Sequence, residues 1–242
     1  MTSKLLALHA IGRPLHSYRE HNAETAEQEI LNLLENNQTV AIVSDAGTPL
    51  ISDPGENLVQ RAIAQGFAVY AIPGASAAIA ALTASGLPAD RFYFAGFLPT
   101  KSNERRRAIR DLEAIPGSLI FYEAPGRVTE TLIDLAAILG NRPAAVAREL
   151  TKMHEEFYRD TLSALADHFQ SHQDVRGEIA IVVSPPLADN TPLSADDLDS
   201  RLTAQLKIHP VKDAAAIVAA ELGLPRRTVY ARALSLKKDN ES

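Results

Sequence analysis

An α/β architecture followed by a small helical domain is the fold class that this sequence predicts. Three observations carry it. Short apolar runs rich in β-branched or aromatic residues recur up to position 183, and patterns of helical period about ten residues long separate them. Beyond a proline-rich polar stretch at 184–193 the chain reads all-helical. With 242 residues, 46 % of them hydrophobic, the chain can bury a sizeable core and can hold more than one domain. A charged fraction of 22 % argues against a wholly disordered protein.

The elements follow in order. Strands are expected at 15–18, 39–44, 68–72, 92–95, 118–122, 144–148 and 178–183, and helices at 23–35, 57–65, 76–85, 103–114, 128–139 and 162–172. Ser76 and Ser102 stand where a hydroxyl can cap the helix that follows. Pro73-Gly74 ends the second strong apolar run and reads as a hinge into a second α/β unit. The expected organisation is an α/β domain at 1–73, a second at 74–186, a linker at 187–192 and a helical domain at 193–242.

Composition and motif spacing exclude several chemistries. Without cysteine there are no disulfides, thiolate nucleophiles or zinc knuckles. No two of the 12 glycines are separated by a single residue, so a Rossmann Gly-x-Gly turn is absent, and so is a Walker Gly-Lys-Ser/Thr. No Gly-x-Ser-x-Gly elbow marks a hydrolase. His168 and His172 share i, i+4 spacing but lack the glutamate of a zinc-protease motif, so a solvated helix face is expected and no metal site. No apolar run reaches membrane-spanning length and no signal-peptide pattern opens the chain; the expectation is a cytoplasmic protein off the membrane. Net charge is −6, yet 207–238 carries seven Lys/Arg against two acids, leaving −11 on the rest. A basic appendage on an acidic body suits a polyanion.

Four loops at strand exits combine Gly, Pro or charge in ways that bring backbone or ionic groups to a ligand. The first is Ser44-Asp45-Ala46-Gly47-Thr48-Pro49 and its continuation to Gly55; a plain Asp-Pro-Gly turn is the alternative. The second, Pro73-Gly74-Ala75-Ser76-Ala77, opens a helix whose N-terminus could face a ligand, or whose small side chains could simply pack closely. The third is Tyr122-Glu123-Ala124-Pro125-Gly126-Arg127, and the fourth Arg148-Glu149-Leu150-Thr151-Lys152 followed by His154-Glu155-Glu156; either could also be a solvated face. Lys101, Arg105, Arg106, Arg107 and Arg110 lie together, and the triple Arg cannot all pair with nearby acids, which suggests phosphate contact, with an amphipathic helix holding its charges in water as the alternative. The tail from Val211 reads helix, turn, helix, with Gly223 as the C-cap and Pro225 starting the second helix. Arg226, Arg227, Arg232, Lys237 and Lys238 on that second helix point to nucleic acid, with dimerisation of a helical hairpin as the alternative.

These loops, in this order, resemble the tetrapyrrole methylase superfamily of S-adenosylmethionine enzymes. The stretches SDAGTPLISDPG (44–55), IPGASAA (72–78), GLPADRFYFAGFLPTKSNERR (86–106), LIFYEAP (119–125), ARELTK (147–152) and RGEIAIVV (176–183) carry the likeness. Within the superfamily the chain looks closest to the methyltransferase I family, which 2′-O-methylates a cytidine of the 16S RNA of the small ribosomal subunit; its tail looks like that family's RNA-binding domain. The resemblance implies two α/β domains of the class III methyltransferase kind, with S-adenosyl-L-methionine in the cleft between them and a homodimer as the assembly. On this likeness Ser44, Asp45, Ala46, Gly47, Thr48 and Pro49, with Pro73, Gly74, Ala75, Ser76 and Ala77, would touch the cofactor. Tyr122, Ala124, Arg148, Glu149 and Gly177 would face it from the second domain.

Methyl transfer to a ribose hydroxyl demands alignment and removal of one proton. Asp45 suits a sulfonium; Glu123 or Glu149 could accept the proton; Arg127, Arg148 or Lys152 could hold phosphate or support an alkoxide. Glu123, Arg127 and Lys152 are the catalytic nominees. Lys101, Arg105, Arg106 and Arg107 join the tail's basic residues as the RNA-binding set. Where many relatives have histidine before the arginine of the third motif, this chain has Gly126, so no catalytic histidine is nominated. The family's first strand, its Ala-Thr-Pro-Ile-Gly-Asn cofactor loop and the unit ending in Asp-Thr-Arg have no counterpart, a gap of about 30 residues or more. The expectation is that Met1 is an internal codon read as initiator, and that the chain as written folds poorly or binds the cofactor weakly. Two alternatives differ in class: a methylase of a small tetrapyrrole, which would need no basic tail, and a non-catalytic RNA-binding protein.

Overall fold

A computed structural model describes residues 2–172, 174–186, 195–222 and 224–239, without the side chains at 20, 195–197, 220–221 and 238–239. Met1, the linker at 187–192, Gly223 and the Lys238 side chain lie outside the described residues. The chain divides into two compact units, Met1–Pro186 and Leu187–Ser242.

The first unit runs α1 (Thr2–Leu8), α2 (Ala23–Glu35), α3 (Glu56–Ala64), α4 (Ala77–Ser85), β1 (Phe92–Phe97), α5 (Ser102–Leu112), β2 (Ser118–Glu123), α6 (Val128–Leu139), β3 (Pro143–Arg148), β4 (Glu156–Thr161), α7 (Leu162–Ser171) and β5 (Ile179–Val183). The strands form one mixed sheet in the order β1-β2-β5-β3-β4. Only β1 and β2 are parallel; the other pairs are antiparallel. Because side chains alternate across a strand, β2 and β5 face two cores at once. Leu119, Phe121, Ile179, Ile181 and Val183 meet α5, α6 and α7 through Ile109, Leu132, Leu135 and Leu165. Ile120, Ala180 and Val182 turn the other way, onto Ala78, Ala81 and Leu82 of α4. The small residues on both sides of that second contact let α4 lie close to the sheet.

The front of the unit is built differently. Ile30 and Leu31 of α2 pack on Leu58 and Ala62 of α3, with Val40, Ile42 and Phe67 against them. The expected strands at 15–18, 39–44 and 68–72 have no ladder partner among the described residues and are not strands. Their β-branched residues satisfy strand propensity, but a strand forms only where another backbone takes up its N–H and C=O groups. As a result Val43, Val69, Tyr70 and Ile72 remain exposed, the last two above 80 %.

Three further expectations are corrected. No strand was expected at Glu156–Thr161, whose first residue closed the fourth loop's charge cluster; it is an edge strand, and edge strands carry polar and charged side chains. Ser76 is the N-cap of α4 but its side chain makes no capping bond; the Tyr122 phenol accepts the Ala78 N–H instead, at 3.0 Å. Ser102 is the first helical residue of α5, with Lys101 at the N-cap.

The second unit holds α8 (Ala195–Leu206), α9 (Val211–Leu222) and α10 (Arg226–Asp239). Leu202, Ala215, Val218, Ala219, Val229 and Ala233 form its core. Alanine at three helix contacts permits close crossing of short helices.

Candidate functional site

The first and second loops are joined directly. The Thr48 hydroxyl donates to the Ala75 carbonyl at 2.9 Å, so a residue of the 44–49 turn fixes the entry to α4. Ser44 Oγ donates to the Ala46 carbonyl at 2.8 Å, a local turn bond that closes the first loop on itself. Gly47 has φ of +71°, the left-handed region that favours glycine. Asp45 is exposed and accepts from the Thr2 hydroxyl at 2.9 Å; that bond holds its carboxyl below the usual range and keeps it anionic at neutral pH. Pro73, Gly74, Ala75 and Ala77 are exposed, so their backbone groups face solvent.

The third loop turns inward. The Glu123 side chain is fully buried and accepts three bonds: from the Ala124 N–H at 2.8 Å, the Arg127 guanidinium at 3.1 Å and the Thr131 hydroxyl at 2.6 Å. Arg127 also donates to the Leu98 carbonyl at 2.8 Å, while its buried Nε has no partner. The pair thus braces the turn after β2 to the turn after β1. Tyr122 stacks edge-on with Phe94 and Phe97, at 4.9 and 5.7 Å between centroids. Of the two carboxylates nominated as proton acceptor, Glu123 is enclosed.

The fourth loop presents its charges outward. Glu149 has φ of +52°, and its carboxylate accepts from Lys152 Nζ and from the Glu178 N–H, at 2.8 and 2.9 Å. The ammonium of Lys152 holds the Glu149 carboxyl below its ordinary value, and Glu149 with Glu178 raises Lys152 in return. At neutral pH Lys152 is therefore a cation and Glu149 an anion, a donor and a weak base. Gly177 (φ +93°) lies against this cluster, and a Cβ there would overlap the Glu149 carboxylate. Arg148 is held by Glu156 at 2.9 Å and by the Arg176 carbonyl at 3.1 Å.

Arg148 and Glu156 also line a cavity of about 420 Å³ with Tyr158, His168 and His172, whose two imidazoles stack at 4.4 Å. The sequence pointed to its parts separately, through the fourth loop's Arg148 and Glu156 and through the i, i+4 spacing of the histidines. Glu178, 26 residues from Lys152, gave no such signal.

The basic residues separate into two kinds. Arg105 is corrected: it is 2 % exposed, with Nε 2.7 Å from Asp134 and a second nitrogen 3.3 Å from Glu130. It cannot reach a phosphate without breaking its bonds to Asp134 and Glu130. Arg106 is half-exposed and leans on Asp134 at 3.3 Å, Lys101 pairs with Glu104 and Arg107 is exposed. In the second unit Arg232 grips Asp199 through two nitrogens, a structural clasp between α10 and α8. Arg226 and Arg227 are exposed at the start of α10, beside Lys212 and Tyr230, which the sequence reading had not nominated.

The family described as Tetrapyrrole (Corrin/Porphyrin) Methylases matches residues 4–166, and the RsmI C-terminal HTH domain matches residues 192–237. A protein named Ribosomal RNA small subunit methyltransferase I from Mesorhizobium japonicum is 45 % identical over 235 residues, 96 % of this chain and 79 % of that one. One of the same name from Xylella fastidiosa is 45 % identical over 232 residues, 95 % of this chain and 84 % of that one. Among solved structures, diphthine synthase superposes with a TM-score of 0.55 at 16 % identity, covering 73 % of this chain and 71 % of that one. That last likeness is one of fold.

Proposed function

We propose, from the premise that the chain belongs to the tetrapyrrole methylase family, that it is a ribosomal RNA methyltransferase using S-adenosyl-L-methionine to methylate a ribose 2′-hydroxyl of a cytidine in 16S RNA. The observation that carries this reading is the union of a methylase match at 4–166 and a helix-turn-helix match at 192–237 in one chain. A methylase acting on a small tetrapyrrole would have no use for the second.

The residues present fit such a cofactor. The turn at Ser44–Pro49 and the strip Pro73–Ala77 are tied by the Thr48–Ala75 bond and leave backbone groups exposed, as a ligand with both amino-acid and nucleoside parts requires. Asp45, held anionic, complements a positive charge. The cofactor supplies an electrophilic methyl group on a sulfonium. Tyr122, Ala124, Arg148, Glu149 and Gly177 complete the set from the sheet side, and the Glu123–Arg127 brace fixes the turn that carries Ala124. Lys152 stays protonated and can hold a phosphate or steady a developing alkoxide; it cannot be the base. Glu149, partly exposed where Glu123 is fully enclosed, is the better-placed proton acceptor, though its low pKa makes it a weak one.

The substrate is 16S RNA, free or within the small ribosomal subunit, a homodimer is the working assembly and the cytoplasm is the place of action. Among the described residues no helix is long and apolar enough to cross a membrane. The test is transfer of a labelled methyl group from S-adenosylmethionine to 16S RNA, offered free and in assembled small subunits, with the site mapped by reverse-transcription arrest at low nucleotide concentration. Label in a cytidine ribose supports the reading; label on a base, or on a tetrapyrrole alone, rejects it. Lys152→Ala is expected to lower turnover by roughly 100-fold if it steadies charge in the transition state.

A further inference from the structure

The helical unit carries an open groove of about 370 Å³ lined by Lys212, Arg226, Arg227 and Tyr230. We infer that this groove seats an unpaired stretch of RNA, its phosphates on the three cations and one base stacked on the Tyr230 ring. The inference rests on the reading of the chain as an RNA methyltransferase and names the form of RNA that its helical unit holds.

Three observations converge on it. Lys212 projects from the first turn of α9, and Arg226 and Arg227 from the first turn of α10, so a single concavity gathers positive charge from two helices. Among the described residues no hydrogen bond or ion pair engages these three side chains, whereas Arg232 one turn onward is fastened to Asp199. A protein surface that needs its arginines for stability pairs them, as Arg105 is paired; three cations left together unpaired repel one another and await an anion. Finally, Tyr230 is 40 % exposed within the groove although its neighbours Val229 and Ala233 are completely buried. A half-exposed aromatic ring among phosphate-binding cations is the arrangement by which single strands are held: the backbone follows the charge and a base stacks on the ring.

A duplex fits less well. The major groove of A-form RNA is deep and narrow, and side chains on a helix do not reach its base edges.

The test uses the full chain and fluorescence anisotropy with three probes: a labelled single-stranded RNA of about eight nucleotides, an RNA hairpin duplex and a DNA duplex. The single strand is expected to bind most tightly. Tyr230→Ala should weaken it by roughly 5- to 100-fold, the value of one base stack, and Tyr230→Leu should lose as much although it keeps apolar area. Tyr230→Phe should retain wild-type affinity. Arg226→Gln with Arg227→Gln should lower the slope of log affinity against log salt by about 1.4. Unchanged helical circular dichroism shows that each variant is folded. Equal or tighter binding of either duplex, or wild-type affinity in Tyr230→Ala, overturns this inference alone. Failure of the wild-type chain to bind any probe overturns it and also removes the helical unit as an RNA handle, while methyl transfer remains scored by its own assay.

Discussion

Residues 39–43, Thr-Val-Ala-Ile-Val, and 179–183, Ile-Ala-Ile-Val-Val, are nearly the same peptide in composition and meet opposite fates. The second is β5, hydrogen-bonded on both edges to β2 and β3 and buried at every position. The first has no ladder partner, and Val43 is 57 % exposed. The difference teaches that β-branched sequence is permission rather than instruction. Strand formation needs a neighbouring backbone on at least one edge and apolar cover on a face, and both are tertiary facts. The candidate site draws on both regions: its outward loop at 148–152 hangs from the paired sheet, while its loops at 44–49 and 73–77 hang from the unpaired front and are joined through Thr48.

The comparison is sharpest where charge is buried. In the sheet half, Asp134 neutralises Arg105, with side-chain exposures of 6 % and 3 %. Asp134→Ala leaves an enclosed guanidinium with Glu130 as its remaining counter-charge and the Thr100 carbonyl as an acceptor, and should cost about 3–5 kcal/mol in urea unfolding. In the front half the corresponding pair is Arg61 with Glu27, and Arg61 is 39 % exposed. Arg61→Ala is expected to cost less, about 1–3 kcal/mol, since the Glu27 carboxylate it leaves is 6 % exposed but keeps the Tyr18 hydroxyl as a donor. Equal losses at the two pairs would dissolve the distinction between the halves.

Apolar truncation should repeat the pattern one step smaller. Ile181→Ala empties fully buried space and should cost about 2–5 kcal/mol, whereas Val43→Ala should stay within about 0.5 kcal/mol. Native-state hydrogen exchange reads the same contrast without mutation: amides of 179–183 should be protected near the global limit, and those of 39–43 and 68–72 should exchange through local opening.

Gly177→Ala probes the site itself. Its backbone has φ of +93° and a Cβ would overlap the Glu149 carboxylate, so the Glu149–Lys152 contact must yield. The expected cost is about 1–3 kcal/mol in stability, together with weaker cofactor binding by calorimetry. Wild-type affinity in a folded Gly177→Ala protein would remove Gly177 from the site.

Much of this was legible in the sequence, and for physical reasons. The helices α2 and α6 fall on the residues that periodicity assigns, Ala23–Glu35 and Val128–Leu139, because an amphipathic period is a local signal. Strands β2, β3 and β5 differ from expectation by a single terminal residue, since runs buried on both faces read as continuous apolar stretches. The edge strand Glu156–Thr161 was hidden because edges are written in polar residues. The fate of Arg105 was hidden too: its partners stand 25 and 29 residues away, on a different helix, and no local spacing reveals them. Motif stretches located the loops of the site, but which side chains turn inward, as Glu123 does, and which outward, as Glu149 does, is decided by the packing of α6 and by the approach of Gly177.

The smallest expected effect concerns the front half in alkali. Burial first, and then the hydrogen bond it donates to Glu27 at 2.9 Å, push the Tyr18 phenol from 10.0 up to about 12. A raised phenol pKa means that the folded chain keeps a proton which the unfolded chain releases. Stability from this group is therefore complete below pH 10 and declines as pH rises through the interval to about 12. Tyr18→Phe removes that proton from both states, so its stability should fall less steeply over the same interval, with a modest loss at neutral pH from the missing bond. Phenolate absorbance should show one tyrosine fewer titrating late. If wild type and Tyr18→Phe follow the same alkaline curve, the Tyr18–Glu27 contact is not part of what holds α2 to the residues before it, and the front half depends on its apolar cluster alone.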